Sequence, residues 1–221
     1  MSTHNPVEYY QSAHQELSRS RGEAWPGFVR ALSHSGMESF ALSGFPTTKW
    51  ENWKYTDVKK IGATEYVHSG LESTATPSEA SLKAMIGGAP TGSQVVLVNG
   101  VYRAELSDIA STPGLTLMGL REALANRPDE IEPLLGSVGS MADHPFIALN
   151  TAFLSDGLYL RVDEGARVPG VLHILHVTGD QNTNVVSHPR LLIVAGPRSE
   201  ATILESFVGV EGASYFSNAV T

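Results

Sequence analysis

The chain has 221 residues, 42% hydrophobic and 17% charged, which is enough for a sizeable core in one or two domains and excludes wholesale disorder. Its 15 Lys and Arg against 23 Asp and Glu give a net charge of −8, with no basic cluster beyond Lys59-Lys60, so no nucleic acid and no membrane surface is expected as a partner. There are no cysteines, which removes disulfides and the usual thiolate ligands of zinc and iron–sulfur clusters; with no basic–apolar leader and no apolar run near the ~18 residues of a membrane span, a cytoplasmic location is expected.

Asn5-Pro6, with Glu8 in the next turn, predicts a helix from Pro6 to about Ser20 that places Val7, Tyr10, His14 and Leu17 on one stripe. A second helix, Pro26 to Leu42, gathers Phe28, Val29, Leu32, Met37 and Phe40. Gly36 costs it about 1 kcal/mol, and Ser43-Gly44-Phe45-Pro46 ends it. Phe45–Val58 follows, dense in aromatic and charged residues. Ser69–Ser78 reads as a loop, Pro77 through Ile86 as a short helix, and Gly87–Gly92 as a flexible connection that lacks the G-K-[ST] ending of a phosphate loop. Asn99-Gly100 between Gln94–Val98 and Val101–Arg103 is a hairpin signal. A strand at Leu115–Met118 precedes helices near Leu120–Ala125, Pro128–Val138 and Phe146–Leu154.

Beyond Ser155-Asp156 the helical pattern stops. Leu158–Val162, Val171–Val177, Leu191–Ala195, Thr202–Val208 and Tyr215–Val220 are short apolar runs broken by Gly, Pro, Asn or Asp, which predicts stacked strands. We expect residues 1–155 to form a mostly helical α+β region and residues 156–221 an all-β one. Because the last run reaches Thr221 without a polar cap, the expectation is the N-terminal part of a longer protein, or an end covered by a partner.

Eight histidines raise the question of a metal. His173 and His176 are separated by an odd number of residues in a strand, so their rings point to opposite faces; the H-x-H pair of a cupin-type site is absent. His188-Pro189-Arg190 reads as a polar turn before a strand. Asp57, Asp143 and Asp156 beside turns read as caps. No G-x-S-x-G elbow occurs. We therefore assign no catalytic, cofactor-binding or metal-binding residue, and keep as alternative a β-fold enzyme or metal-binding protein, cupin-like or carbohydrate-active, using His173 or His188. A third reading is an interaction module with Trp50, Trp53 and Tyr55 as its docking surface; ring packing and cations resting on ring faces suit a half-buried surface.

Pro46-Thr47-Thr48-Lys49-Trp50-Glu51-Asn52-Trp53-Lys54-Tyr55-Thr56-Asp57 resembles the P-T-x-x-x-E-x-W-K-Y-T-D signature of the SufD family, of the SUF-system SufB/SufD superfamily. In the same order, Val96–Gly100 with Glu105-Leu106-Ser107, Leu149–Phe153 with Asp156-Gly157, and His188-Pro189-Arg190 resemble further family motifs. The first segment favours SufD over SufB. The resemblance implies a scaffold subunit in iron–sulfur cluster assembly that is no enzyme itself: a helical N-terminal region, then a right-handed parallel β-helix, here only its first rungs, then a C-terminal helical region. It implies a SufB-like paralogue and a SufC-like ATPase as partners, a homodimer being possible. Cluster and ATP belong to the wider complex, with no cofactor on this chain, because the family's cluster-handling positions lie in the later β-helix.

Overall fold

The computed structural model describes residues 5–69, 84–85, 92–178, 183–209 and 211–221. The helix expected from Pro77 and the connection after it lie outside the described residues, save 84–85 and Gly92.

Helix α1 (Pro6–Arg21) starts where Asn5 Oδ1 accepts from Val7 N at 3.0 Å, and it buries Tyr10, His14 and Leu17. Helix α2 (Gly27–Ser43) buries Val29, Ser33, Gly36, Met37 and Phe40. A short α3 (Lys59–Ala63) was not expected from sequence. Helix α4 (Leu120–Asn126) leads into α5 (Pro128–Ile131), which stops short of the expected Val138: Pro133 has no N–H for the next helical bond and Gly136 takes a left-handed φ of 81°. Helix α6 (Pro145–Ala152) crosses α2 at Gly36, where an added Cβ would lie 2.7 Å from Ala152 N and 2.8 Å from Ala148 O. The glycine that weakens α2 in isolation is what lets the two helices touch.

The strands are β1 (Val67–His68), β2 (Gly92–Val98), β3 (Val101–Tyr102), β4 (Leu115–Gly119), β5 (Gly157–Val162), β6 (Arg167–Thr178), β7 (Val185–Ser187), β8 (Arg190–Ala195), β9 (Glu200–Gly209) and β10 (Tyr215–Ser217). They form three mixed or parallel sheets, ordered β1-β7-β10, β3-β2-β6-β9 and β4-β5-β8. Asn99 and Gly100, at φ 49° and 82°, make the tight β2–β3 turn with Val98 opposite Val101. From β5 onward each strand pairs in parallel with the strand three places later: β5 with β8, β6 with β9, β7 with β10; Val220 then bridges to Arg190. Strands preceding residue 155 join these sheets, β2 lying parallel to β6 and β4 antiparallel to β5. The architecture is α+β, and no closed barrel forms among the described residues.

Alternation places Val95 and Leu97 of β2, Leu158 and Leu160 of β5, Leu172 and Ile174 of β6 and Leu191 of β8 in one core between sheets. Tyr159, from the opposite face of β5, joins Val29, Leu120, Leu124 and Ile131 under the helices. A third core, of Tyr10, Met37, Phe40, Leu149 and Phe153, ties α1, α2 and α6 together. Burying each such side chain contributes about 1.5–3 kcal/mol. At the edge of the four-stranded sheet, β9 leaves Leu204 and Phe207 exposed.

Candidate functional site

The His188-Pro189-Arg190 turn connects β7 to β8 and inserts beneath α6. Arg190 is buried; its Nε donates to Asn150 Oδ1 at 2.8 Å and its Nη2 to Thr151 Oγ1 at 2.7 Å. Asn150 Nδ2 donates to the carbonyls of Pro189 at 2.9 Å and Asn218 at 2.7 Å. Asn218 Nδ2 donates to Phe146 O at 3.0 Å and meets His188 Nδ1 at 3.1 Å. One polar lattice thus ties α6, the β7–β8 turn and the residues after β10. Among the described side chains no carboxylate pairs with Arg190, and burial brings its pKa down to about 10.

His188 and one further histidine, His68, are sealed nearby. His68 of β1 stacks on Phe153 at 4.2 Å between centroids, and His188 lies on Phe153 at 5.0 Å. Because the Asn218 amide donates, His188 Nδ1 accepts and the ring proton sits on Nε2, which has no partner; neither nitrogen of His68 has one either. Burial holds both rings neutral. It lowers His68 to about 3, and it lowers His188 too, where protonating both neighbouring rings would set like charges together beside Arg21.

The Ser–His contacts of His14 and His173 and the Glu–His contact of His176 do not form an activated nucleophile. Ser33 Oγ donates its single proton to Ala152 O at 2.6 Å, so His14 Nε2, 3.0 Å away, donates to Ser33 and cannot act as its base. Gln94 Nε2 approaches His173 Nδ1 at 3.4 Å as a donor, so His173 Nε2 donates to Ser206 Oγ at 2.9 Å. His176 lies on the other face of β6, stacked on Phe207 at 4.3 Å, with Nε2 3.1 Å from Glu205 Oε2. His173, His176 and His188 have separate partners, and among the described residues no group of three His, Cys, Asp or Glu is placed to hold a metal ion. Among the described residues, the structure does not bring together at His173 or His188 the side chains that a β-fold enzyme would need.

The carboxylates beside turns behave as caps where they are buried or ordered. Asp57 Oδ1 accepts from Lys59 N at 2.8 Å. Asp156 Oδ1 accepts from Arg121 N at 2.9 Å at the start of α4, and its Oδ2 from Tyr102 N at 3.3 Å. Desolvation raises the Asp156 pKa against those bonds. Asp143 is exposed. In the aromatic segment Trp50 and Trp53 are half-buried, Trp53 packing on Phe146 at 5.2 Å, while Tyr55 is 92% exposed with Lys54 Nζ 5.6 Å from its ring. Trp53 belongs to its own chain's packing; Tyr55 does not. The Asn150–Arg190–Asn218 lattice and the His68–His188 pair escaped sequence reasoning. Their members are far apart in the chain, and only the adjacent motifs Asn150-Thr151 and His188-Pro189-Arg190 hinted at them.

No helix among the described residues is long and apolar enough to cross a membrane. A family model described as the SufBD protein N-terminal region matches residues 2–174. An iron–sulfur cluster assembly SufBD family protein of Synechocystis is 24% identical over 187 residues, 80% of this chain and 40% of the relative. The iron–sulfur cluster assembly protein SufD of Escherichia coli is 24% identical over 186 residues, 83% of this chain and 40% of that protein. A second Synechocystis SufBD family protein is 33% identical over 92 residues, 42% of this chain and 19% of its own length. The chain therefore covers well under half of these relatives.

Proposed function

The chain belongs to the SufB/SufD family through its N-terminal region, and from that premise we propose that it serves as part of a non-catalytic, SufD-type scaffold subunit in iron–sulfur cluster assembly. The observation that carries this reading is the recurrence of strands, each paired in parallel with the strand three places on, so that β5-β6-β7 and β8-β9-β10 lie over one another as successive turns. We read these turns as the first rungs of a right-handed parallel β-helix: a rigid column that grows by adding strands and offers faces to other proteins. The histidines support the same reading, since His14, His173 and His176 are occupied by partners within the fold.

On this reading the partners are a SufB-like paralogue and a SufC-like ATPase in the cytoplasm, and both cluster and nucleotide are handled in the wider complex. SufD character in place of SufB rests on Pro46–Asp57. Co-expression with SufB- and SufC-type proteins of the same source, followed by affinity purification through this chain, tests it. Recovery of both partners at fixed stoichiometry is expected. Recovery of neither, with the chain folded by circular dichroism, overturns the scaffold assignment.

A further inference from the structure

Where α1 gives way to α2, positive charge accumulates around one indole. The guanidinium carbon of Arg21 lies 4.7 Å from the Trp25 ring centroid and that of Arg121 5.9 Å. Cation–π contact holds these groups without neutralising them. Arg21 Nη2 reaches Phe153 O only at 3.4 Å, and Arg121 Nε and Nη2 reach Ser155 O at 3.4 Å. Each guanidinium carries five N–H donors, so most remain unused. Among the described side chains no carboxylate lies within ion-pair distance of Arg21, Arg30 or Arg121.

Arg30 and Arg121 are exposed, so the cost of an unpaired guanidinium falls on the partly buried Arg21. The cost shows in Arg21, whose pKa falls to about 10 through burial and then through the Arg121 charge. Beside them is a cavity of about 210 Å³ lined by His14, Ser18, Arg21, Trp25, Arg30 and Ser33 among others. That is below the roughly 300–1,000 Å³ of sites for drug-sized ligands, so only a small guest fits. The neighbouring groove between α1 and α2 shares His14, Ser18 and His34 with it; the acidic residue lining that groove, Glu38, is engaged by His34 at 3.3 Å.

We propose that this cavity binds a small multivalent oxyanion, a phosphate or compact polycarboxylate, gripped by Arg21 and Arg30 against the Trp25 ring, with Arg121 raising the local potential. Planar guanidinium forks match such oxygens in pairs, which lysines could not do. The site lies in the helical part and is independent of the scaffold reading.

Trp25 is itself the reporter. In a Trp50→Phe/Trp53→Phe background, inorganic phosphate and citrate are titrated separately at ionic strength held constant with sodium chloride, and Trp25 emission is followed. A saturable change with either probe is expected, and which one saturates at lower concentration identifies the class. Arg21→Gln and Arg30→Gln should each weaken it at least about tenfold, the loss of one charge-assisted interaction. Arg19→Gln, on the outer groove, should leave it unchanged. Arg30 is exposed, so its variant remains informative if Arg21→Gln fails to fold. No saturable change with either probe, or saturation in both arginine variants at the same concentration as in the parent, overturns the proposal.

Discussion

The Pro46–Asp57 segment and the junction around Arg190 are both rich in polar groups, yet water reaches most of the first and almost none of the second. Thr47, Lys49, Glu51, Lys54 and Tyr55 are exposed, whereas Asn150, Thr151, Arg190 and Asn218 are buried. In the first, a lost hydrogen bond is replaced by one to solvent. In the second, every deletion strands a donor or acceptor, at about 1–3 kcal/mol each. Similar chemistry therefore carries structure in one place and leaves surface free in the other.

The largest expected effect is at the sealed junction. Arg190→Ala abandons Asn150 Oδ1 and Thr151 Oγ1 and opens a cavity beneath α6, so we expect a loss of roughly 3 kcal/mol or more in urea unfolding. A loss below 1 kcal/mol would mean that water already enters the junction, and the contrast would collapse. Next comes Gly36→Ala. Helix propensity alone would stabilise α2 by up to about 1 kcal/mol, but the new methyl meets the α6 backbone at 2.7 Å, and backbone cannot rotate aside. A net loss of about 1–3 kcal/mol is expected; a gain in Tm would show that the helices separate freely.

What could be read in the chain before its structure was local chemistry. Asn5-Pro6, Asn99-Gly100 and the alternation in Leu158–Val162 each specify a cap, a turn or a strand from neighbouring residues, and the elements form there. Val185–Ser187 went unread because three residues show no period, and its partners Val67–His68 and Tyr215–Ser217 are remote. Gly36 looked like a weakness because its value lies in a helix that comes more than a hundred residues later. The Arg190 lattice was half visible: its motifs could be quoted, but nothing in their spacing says that an asparagine on α6 accepts from an arginine after a proline turn.

Acid sharpens the comparison in the histidine cluster beside the junction. His14 is held at about 4 and His68 at about 3, and His188 is also lowered, against an ordinary value of 6.5. Between those values and 6.5 the unfolded chain binds more protons than the folded one, so stability rises with pH there. It is complete above pH 6.5 and is lost as pH falls toward 4 for His14 and toward 3 for His68. By pH 5 His14 and His68 should each cost about 2 kcal/mol. His68→Phe, measured by urea midpoints at pH 7 and pH 5, should flatten that slope. An unchanged slope would mean that His68 is protonated in place without penalty.

The smallest effects are expected in the exposed segment, and they divide it. Trp53→Ala removes a half-buried ring from Phe146 and should cost about 1–2 kcal/mol. Tyr55→Ala removes a ring that touches little beyond Lys54 and should change stability by less than about 0.5 kcal/mol. The pair is informative because the two aromatics are neighbours in one motif, so composition and local charge are matched and only burial differs. If Tyr55→Ala costs as much as Trp53→Ala, the ring is packed in solution and the segment belongs with the sealed junction. If it costs nothing but lowers recovery of the SufB-type partner in the co-purification, Tyr55 is there for another protein's surface and not for its own fold.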